Sequence, residues 1–245
     1  MTTTGDMRTA QDCVARVAIA VWVKTPGHTP AKTRLAKVIG APAAEEFYRL
    51  AVDAVREIVE EACCLEPGLF APYWAVAEEG GAAHACWSGF PVVAQGEGGL
   101  GERLARVYTA LQATHRAVLF IGADSPQMAS GILIEAATSL ARYSAAPEFL
   151  VGPAEDGGFY LFGGRRPLPS AVWTGVTYST STTAEELIAR LERVGMVAVL
   201  GATFDVDTFD DLLLVRDDLA ETPGQGVARR ALRDWLAAMT YPGSS

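Results

Sequence analysis

The chain has 245 residues, about 1.6 times an average domain of ~150, enough for one large α/β domain or two small ones. Half of it is hydrophobic and a fifth is charged, which excludes disordered, collagenous and coiled-coil classes. Twenty-nine acids against twenty bases leave a net charge of −9, so a nucleic-acid backbone is not the expected partner. The longest early apolar run, 17–23, is too short to span a bilayer, and residues 1–12 carry no leader pattern. A cytoplasmic protein with no membrane partner is expected. It would have a disordered or loosely attached stretch over 1–15 and a single domain over 16–240. Cys13, Cys63, Cys64 and Cys86 lack metal-ligand spacing with His28, His84 and His115, so buried thiols are the expectation.

In chain order, residues 16–23 (RVAIAVWV) form a β-branched apolar run ended by Pro26, Gly27 and Pro30, the pattern of a buried strand entering a loop. After Pro42, the apolar residues Phe47, Leu50, Ala54, Val55, Ile58 and Ala62 recur at helical steps. Residues 73–77 and 91–94 predict short strands, and 100–111 a helix entered through the Gly-rich stretch 96–101. Residues 117–121 (AVLFI) read as another buried strand, followed by a helix over 132–142. Residues 149–151 and 159–162 bracket GPAEDGG as a hairpin or crossover. Thr182 and Glu185 predict a capping box, 196–200 the last strand region, and Thr208 with Asp211 the start of the first of two closing helices. This alternation predicts an α/β fold: a three-layer α/β/α sandwich with a mostly parallel central sheet and one antiparallel element near 159–163. Ligands of such sheets bind beyond the carboxyl ends of the strands.

The polar clusters fall at those ends. All three lysines, Lys24, Lys32 and Lys37, lie within one short segment, and the other seventeen bases are arginines. The loop KTPGHTPAKTRL could grip a polyphosphate through Lys24, Lys32, Thr33 and Arg34. It is not a P-loop, because Lys32 comes one position too early after Gly27, the second glycine is missing, and Pro30 removes an amide donor. Bases at a helix start are disfavoured by the helix dipole unless an anion is bound there. Asp124 follows a buried strand in GADSP, where it could also be a simple turn or cap residue. Asp205 and Asp207 sit two apart in a strand-like segment, which would place both side chains on one face. With Asp124 they could hold Mg²⁺ against phosphates. Glu155, Asp156, Gly157 and Gly158 suit either a tight turn or a close backbone approach to substrate. The stretch from Gln95 through Gly96 and Gly98 to Arg103 could meet a flat base or be a plain flexible loop; it is not a dinucleotide fingerprint in its proper place.

Together these motifs resemble the nucleotide-diphospho-sugar transferase superfamily with the GT-A, Rossmann-like fold. They are most similar to a bacterial group labelled as glycosyltransferases and associated with radical-SAM and arsenosugar pathways (DUF2064-like). The resemblance covers roughly 16–215 and is carried by VKTPGHTPAKTRL, GGLGERL, GADSPQM, GPAEDGGFYLFG, YSTST and FDVDTFDDL. The chain departs from that group at Gly99, where Asp is usual, and at Tyr178, where Trp is usual. Lys32 to Leu35 also resemble phospholactate guanylyltransferases, and the DxP and DxDT elements resemble sugar and alditol nucleotidyltransferases.

The resemblance implies a metal-dependent transferase with Mg²⁺ (or Mn²⁺) on Asp124 and Asp207. Lys32, Arg34 and Asp124 would be catalytic, and Lys24, Thr33, Gln95, Gly96 and Arg103 would hold the nucleotide. Glu155, Asp156, Gly157, Gly158, Ser179 and Thr180 would bind the acceptor. Nucleotidyl transfer from an NTP to a small phosphorylated or phosphonate acceptor, releasing pyrophosphate, is the first expectation. Glycosyl transfer from a nucleotide-diphospho-sugar is the alternative, and a nucleotide-binding protein without turnover the third. The implied partners are an NTP or nucleotide sugar and a small anionic acceptor, and a homodimer is allowed.

Overall fold

The computed structural model describes residues 17–141, 146–222 and 226–239. The N-terminal stretch expected over 1–15, with Cys13, and the helix end expected at Arg142 lie outside the described residues. Seven strands form one sheet in the order β3-β2-β1-β4-β6-β5-β7. They are β1 (Val17–Val23), β2 (Phe70–Val76), β3 (Val92–Ala94), β4 (Ala117–Gly122), β5 (Phe149–Pro153), β6 (Phe159–Gly164) and β7 (Val197–Val199). β1 pairs in parallel with β2 and β4, β2 with β3, and β5 with β7. Only β6 is reversed, antiparallel to both β4 and β5, which makes 149–164 a hairpin and matches the expected antiparallel element.

Strand β1 shows why the sheet is covered on both sides. Val17, Ile19, Val21 and Val23 face one apolar cluster, while Ala18 and Ala20 face another. The first cluster is closed by α2 (Ala41–Leu65) and α4 (Ser130–Ala141) through Val55, Ile58, Leu133 and Leu140. The second is closed by α3 (Leu100–Gln112), α5 (Ser170–Thr174) and α6 (Thr183–Leu191) through Leu104, Tyr108, Trp173 and Leu187. A strand buried on both faces needs a continuous apolar run, and each large side chain so buried contributes about 1.5–3 kcal/mol.

Helix α2 is buried on a second stripe as well. Phe47, Leu50, Ala51 and Ala54 pack against Leu35 of α1 (Thr33–Ile39), Val215 of α7 (Phe209–Glu221) and Leu232 of α8 (Val227–Ala238). Arg229 of α8 is held there by Glu57 at 3.0 Å and Glu61 at 2.6 Å. The Glu57 carboxylate also accepts the Ala228 amide at 2.7 Å, so an acid satisfies the start of α8 where the helix dipole favours it. No helix among the described residues is long and apolar enough to cross a membrane.

Three local expectations are corrected. Thr182 precedes α6 but makes no side-chain cap; its hydroxyl donates to Glu186, and Glu186 instead accepts the Thr177 amide. The segment carrying Asp205 and Asp207 joins no strand, because its neighbours bond to the loop after β4 rather than to a ladder. Cys63 and Cys86 are only half-buried and Cys64 is exposed, so these three thiols are not core residues.

Candidate active site at the carboxyl edge of the sheet

The carboxyl ends of β1, β2, β3, β4 and β5, with the start of the reversed β6, bring the predicted clusters to one edge. The loop after β1 begins with Lys24, whose backbone is clamped by Tyr48 of α2. The Tyr48 hydroxyl accepts the Lys24 amide at 2.7 Å and donates to the Lys24 carbonyl at 3.1 Å. The next residue, Thr25, is fully buried; its amide donates to Glu78 at 2.7 Å and its hydroxyl accepts the Trp87 indole at 3.3 Å. Thus the loop leaves the sheet at a fixed angle. It ends at Lys32 in left-handed backbone (φ 53°, ψ 45°), an uncommon conformation for a residue with a Cβ, immediately before α1.

That backbone turn carries the Lys32 side chain inward. Its ammonium lies 2.7 Å from Asp124 Oδ1 and 3.0 Å from Asp207 Oδ1, and the side chain is only 4% exposed. Burial pushes the Lys32 pKa down, yet Asp124 and Asp207 outweigh it and hold the ammonium above its ordinary value. Arg34 stands outside this pair, 3.7 Å from Asp207 Oδ2 and mostly exposed. Lys24 at the start of the loop and Thr33 at the start of α1 are exposed.

Asp124 and Asp207 are set against each other by backbone. The Val206 amide donates to the Asp124 carbonyl at 3.1 Å, and Gln127 donates to the Phe204 carbonyl at 2.8 Å. Asp205, between them, accepts the Ser125 hydroxyl at 2.6 Å. Burial, reinforced by the charges of Asp124 and Asp156, raises the Asp205 carboxyl to about 6. Among the described residues no group of three or more metal-ligating side chains converges. Two carboxylates on one cation nevertheless fit the needs of Mg²⁺, which takes one or two carboxylates with substrate and water oxygens.

A cleft of about 340 Å³ opens beside Asp124. Asp156, Gly158, Ser179 and Thr180 line it, together with Asp205 and the aromatic residues Trp22, Phe159, Tyr160 and Tyr178. Glu155 and Gly157 do not. Glu155 is exposed, and Gly157 shapes the turn at φ 91°, its carbonyl accepting the Ala184 amide at 2.8 Å. Among the described residues Ser179 is the other non-glycine residue in left-handed backbone, at φ 60°. The lining holds three carboxylates and no Lys, Arg or His. Cationic side chains stand outside this lining, Lys32 against Asp124 and Asp207 and Arg34 beside Asp207.

The Gly-rich stretch before α3 is organised from within. Arg103 donates to the Gly98 carbonyl at 2.9 Å, and Arg106 donates to the carbonyls of Gln95 at 2.5 Å and Glu97 at 3.0 Å. The Gln95 side chain is buried and donates to the Ala75 carbonyl at 2.9 Å. Gly96 and Gly98 adopt positive φ of 73° and 102°, and a Cβ on Gly96 would strike the Arg106 guanidinium. Arg103 and Gln95 are thus engaged in shaping this loop.

Sequence reasoning missed Tyr48, Glu78, Trp22 and Arg106. Tyr48 sits in an ordinary helical stripe and Glu78 in an unremarked loop, so neither had a local signal. Trp22 did: a large aromatic with a polar edge at the penultimate position of β1 stands next to the basic loop.

Residues 60–180 match the family described as an uncharacterised protein conserved in bacteria (DUF2064). The match includes Asp124, Asp156 and Ser179 but not Lys32 or Asp207. A comparison with the curated proteins finds no match. Among solved structures, the chain is similar to a provisionally assigned nucleotide-diphospho-sugar transferase from Desulfovibrio desulfuricans G20. The two are 23% identical, with a TM-score of 0.75 over 91% of this chain and 97% of that one. It is also similar to a CMP:2-keto-3-deoxy-manno-octonic acid synthetase complexed with CTP (14% identity, TM-score 0.52, 84% and 99% covered). A nucleotidyl transferase from Methanothermobacter thermautotroptrophicus is comparable (15%, TM-score 0.53, 84% and 99% covered). The chain therefore has the GT-A-like, Rossmann-like fold shared by nucleotide-diphospho-sugar transferases and nucleotidyltransferases, and its residues 60–180 are similar to the DUF2064 family.

Proposed function

We propose that the chain is a nucleotide-using transferase that moves a nucleotidyl group from a nucleoside triphosphate to an acceptor held in the cleft. The observation that carries this reading is the convergence of Asp124 and Asp207, from two distant segments, on the one ammonium of Lys32 beside a basic loop. Such a cluster serves phosphoryl chemistry, in which positioning and charge neutralisation supply most of the acceleration. The fold similarity to nucleotidyltransferases supports it.

In this reading a deprotonated phosphate or phosphonate oxygen of the acceptor attacks the α-phosphorus, the bond to the bridging oxygen breaks, and pyrophosphate leaves with the electron pair. Arg34, exposed at the mouth, and Lys24 on the same loop meet the β- and γ-phosphates. Lys32 neutralises charge nearer the reacting phosphorus. A divalent cation, Mg²⁺ or Mn²⁺, fits Asp124 and Asp207 and when bound supplies charge neutralisation and polarisation of the phosphoryl group. The backbone of the glycine loop, shaped by Arg103 and Arg106, faces the base. Asp156, Ser179 and Thr180 bind the body of the acceptor. Because the cleft combines carboxylates, hydroxyls and aromatic faces without a base, that body is uncharged and hydroxyl-bearing, with any phosphate kept at the Lys32 rim.

The same lining favours a second reading, glycosyl transfer, in which the cleft holds the sugar of a nucleotide-diphospho-sugar. The two readings differ in the leaving group. Incubation with Mg²⁺ and either the four NTPs or a panel of nucleotide sugars should release pyrophosphate under the first and nucleoside diphosphate under the second. Asp124→Ala and Lys32→Ala should each lower turnover at least about a hundredfold while the circular dichroism spectrum stays unchanged. Near-wild-type rates in either variant would remove that residue from the chemistry.

A further inference from the structure

Lys32 has two incompatible duties in the proposed reaction. Its ammonium lies 2.7 Å from Asp124 Oδ1 and 3.0 Å from Asp207 Oδ1, nearly sealed from solvent. These are the carboxylates that fit a divalent cation. An ammonium and a divalent cation sharing the same two oxygens would stand within a few ångströms of each other and repel strongly in a partly desolvated site. On those two Oδ1 atoms one cation excludes the other. A phosphate-neutralising lysine, moreover, must point at phosphates, and here it points at acids.

We infer that Lys32 is the resting occupant of the cation site between Asp124 and Asp207, and that a divalent cation binds by displacing it. The displaced ammonium then becomes available to the phosphates. The inference rests on the transferase reading above. One further observation supports it. Asp124 and Asp207 are each about 40% exposed, so a cation in solvent can reach the carboxylates that the ammonium holds. Metal entry and lysine exit are then one event, favoured when a triphosphate offers the ammonium new anionic partners. Without nucleotide the metal competes against a lysine already in place.

The test uses Mn²⁺ alone, followed by electron paramagnetic resonance of the free ion, with wild type, Lys32→Met and Lys32→Gln. Both variants should bind Mn²⁺ about tenfold or more tightly than wild type in the absence of nucleotide. Equal or weaker binding by both variants overturns the exchange and leaves the metal assignment intact. No Mn²⁺ binding by any of the three proteins, even with a non-hydrolysable NTP present, overturns the metal assignment itself.

A second readout uses the unaltered chain. Lys24, Lys32 and Lys37 are its only lysines, and Lys24 and Lys37 are exposed, so they are internal standards for acetylation by an amine-reactive ester. Labelling of Lys32 relative to these two, read by peptide mass spectrometry, should rise several-fold on adding Mn²⁺. Unchanged labelling at saturating Mn²⁺ would mean that the ammonium stays in place and the exchange does not occur.

Discussion

The Ser125 hydroxyl donates a 2.6 Å hydrogen bond to Asp205 Oδ1, tying the turn after β4 to the segment that leads into α7. With the Val206 amide on the Asp124 carbonyl, this bond sets the spacing between the two carboxylates that hold Lys32.

Asp205 makes stability depend on pH. Its carboxyl is raised to about 6 in the folded protein, mainly by burial and then by Asp124, against an ordinary value of 3.8. The folded state therefore holds this proton longer than the unfolded chain. The contribution of the group is fully present below pH ~4, declines as pH rises towards 6, and is constant above that. Asp205→Asn keeps an acceptor for Ser125 and removes the charge. It should be more stable than wild type at pH 7–8 by about 1–3 kcal/mol, the difference vanishing near pH 4. Urea unfolding at a series of pH values in EDTA would show this, and a constant difference across the series would refute it.

The Lys32 cluster should respond asymmetrically to substitution. Asp124→Asn leaves a nearly buried ammonium with one weakened partner, whereas Lys32→Met leaves two carboxylates that are each about 40% exposed and can hydrate. Asp124→Asn is expected to cost roughly 1–3 kcal/mol, below the ~3–5 kcal/mol of a fully buried pair, and Lys32→Met to be near neutral. Thermal unfolding of the two variants side by side tests the order; a larger loss for Lys32→Met would contradict it.

Gly157 should not tolerate a side chain. Its φ is 91°, and an added Cβ would collide with the Ser181 backbone, which cannot move without shifting the Ser179 and Thr180 wall of the cleft. Gly157→Ala is expected to raise the acceptor KM at least about tenfold and to destabilise by about 1–3 kcal/mol. Gly131, where a Cβ would meet open space, is the control, and Gly131→Ala should leave KM unchanged.

Arg229 anchors the C-terminal helix. Buried and paired with both Glu57 and Glu61 of α2, it should cost about 2–4 kcal/mol on replacement by Ala, chiefly by leaving the largely buried Glu57 without its cation. Hydrogen exchange should then report early opening of α7 and α8 while β1 and β4 stay protected. Uniform loss of protection would mean that the C-terminal helices are not a separable layer.

Strand and helix order was readable in the sequence because burial on both faces demands apolar runs such as VAIAVWV and AVLFI, and amphipathic helices repeat every three to four residues. The basic loop, Asp124 and the GPAEDGG turn were likewise visible, each standing directly after a run that had to be a strand. What the side chains do there was not visible. Lys32 reads as a phosphate ligand from its neighbours in the chain, and the fold turns its ammonium onto Asp207, 175 residues away. Arg103 reads as a nucleotide ligand, and the fold has its Nε donate to the Gly98 carbonyl. Periodicity is a local property fixed by backbone geometry, so sequence alone determined the layers and the edge where the polar clusters gather. The partner of a charged side chain is chosen by which distant segments pack against it. Only the tertiary structure decided that the loop lysine lies against two carboxylates from distant segments, and that the lining of the cleft beside them carries no basic side chain.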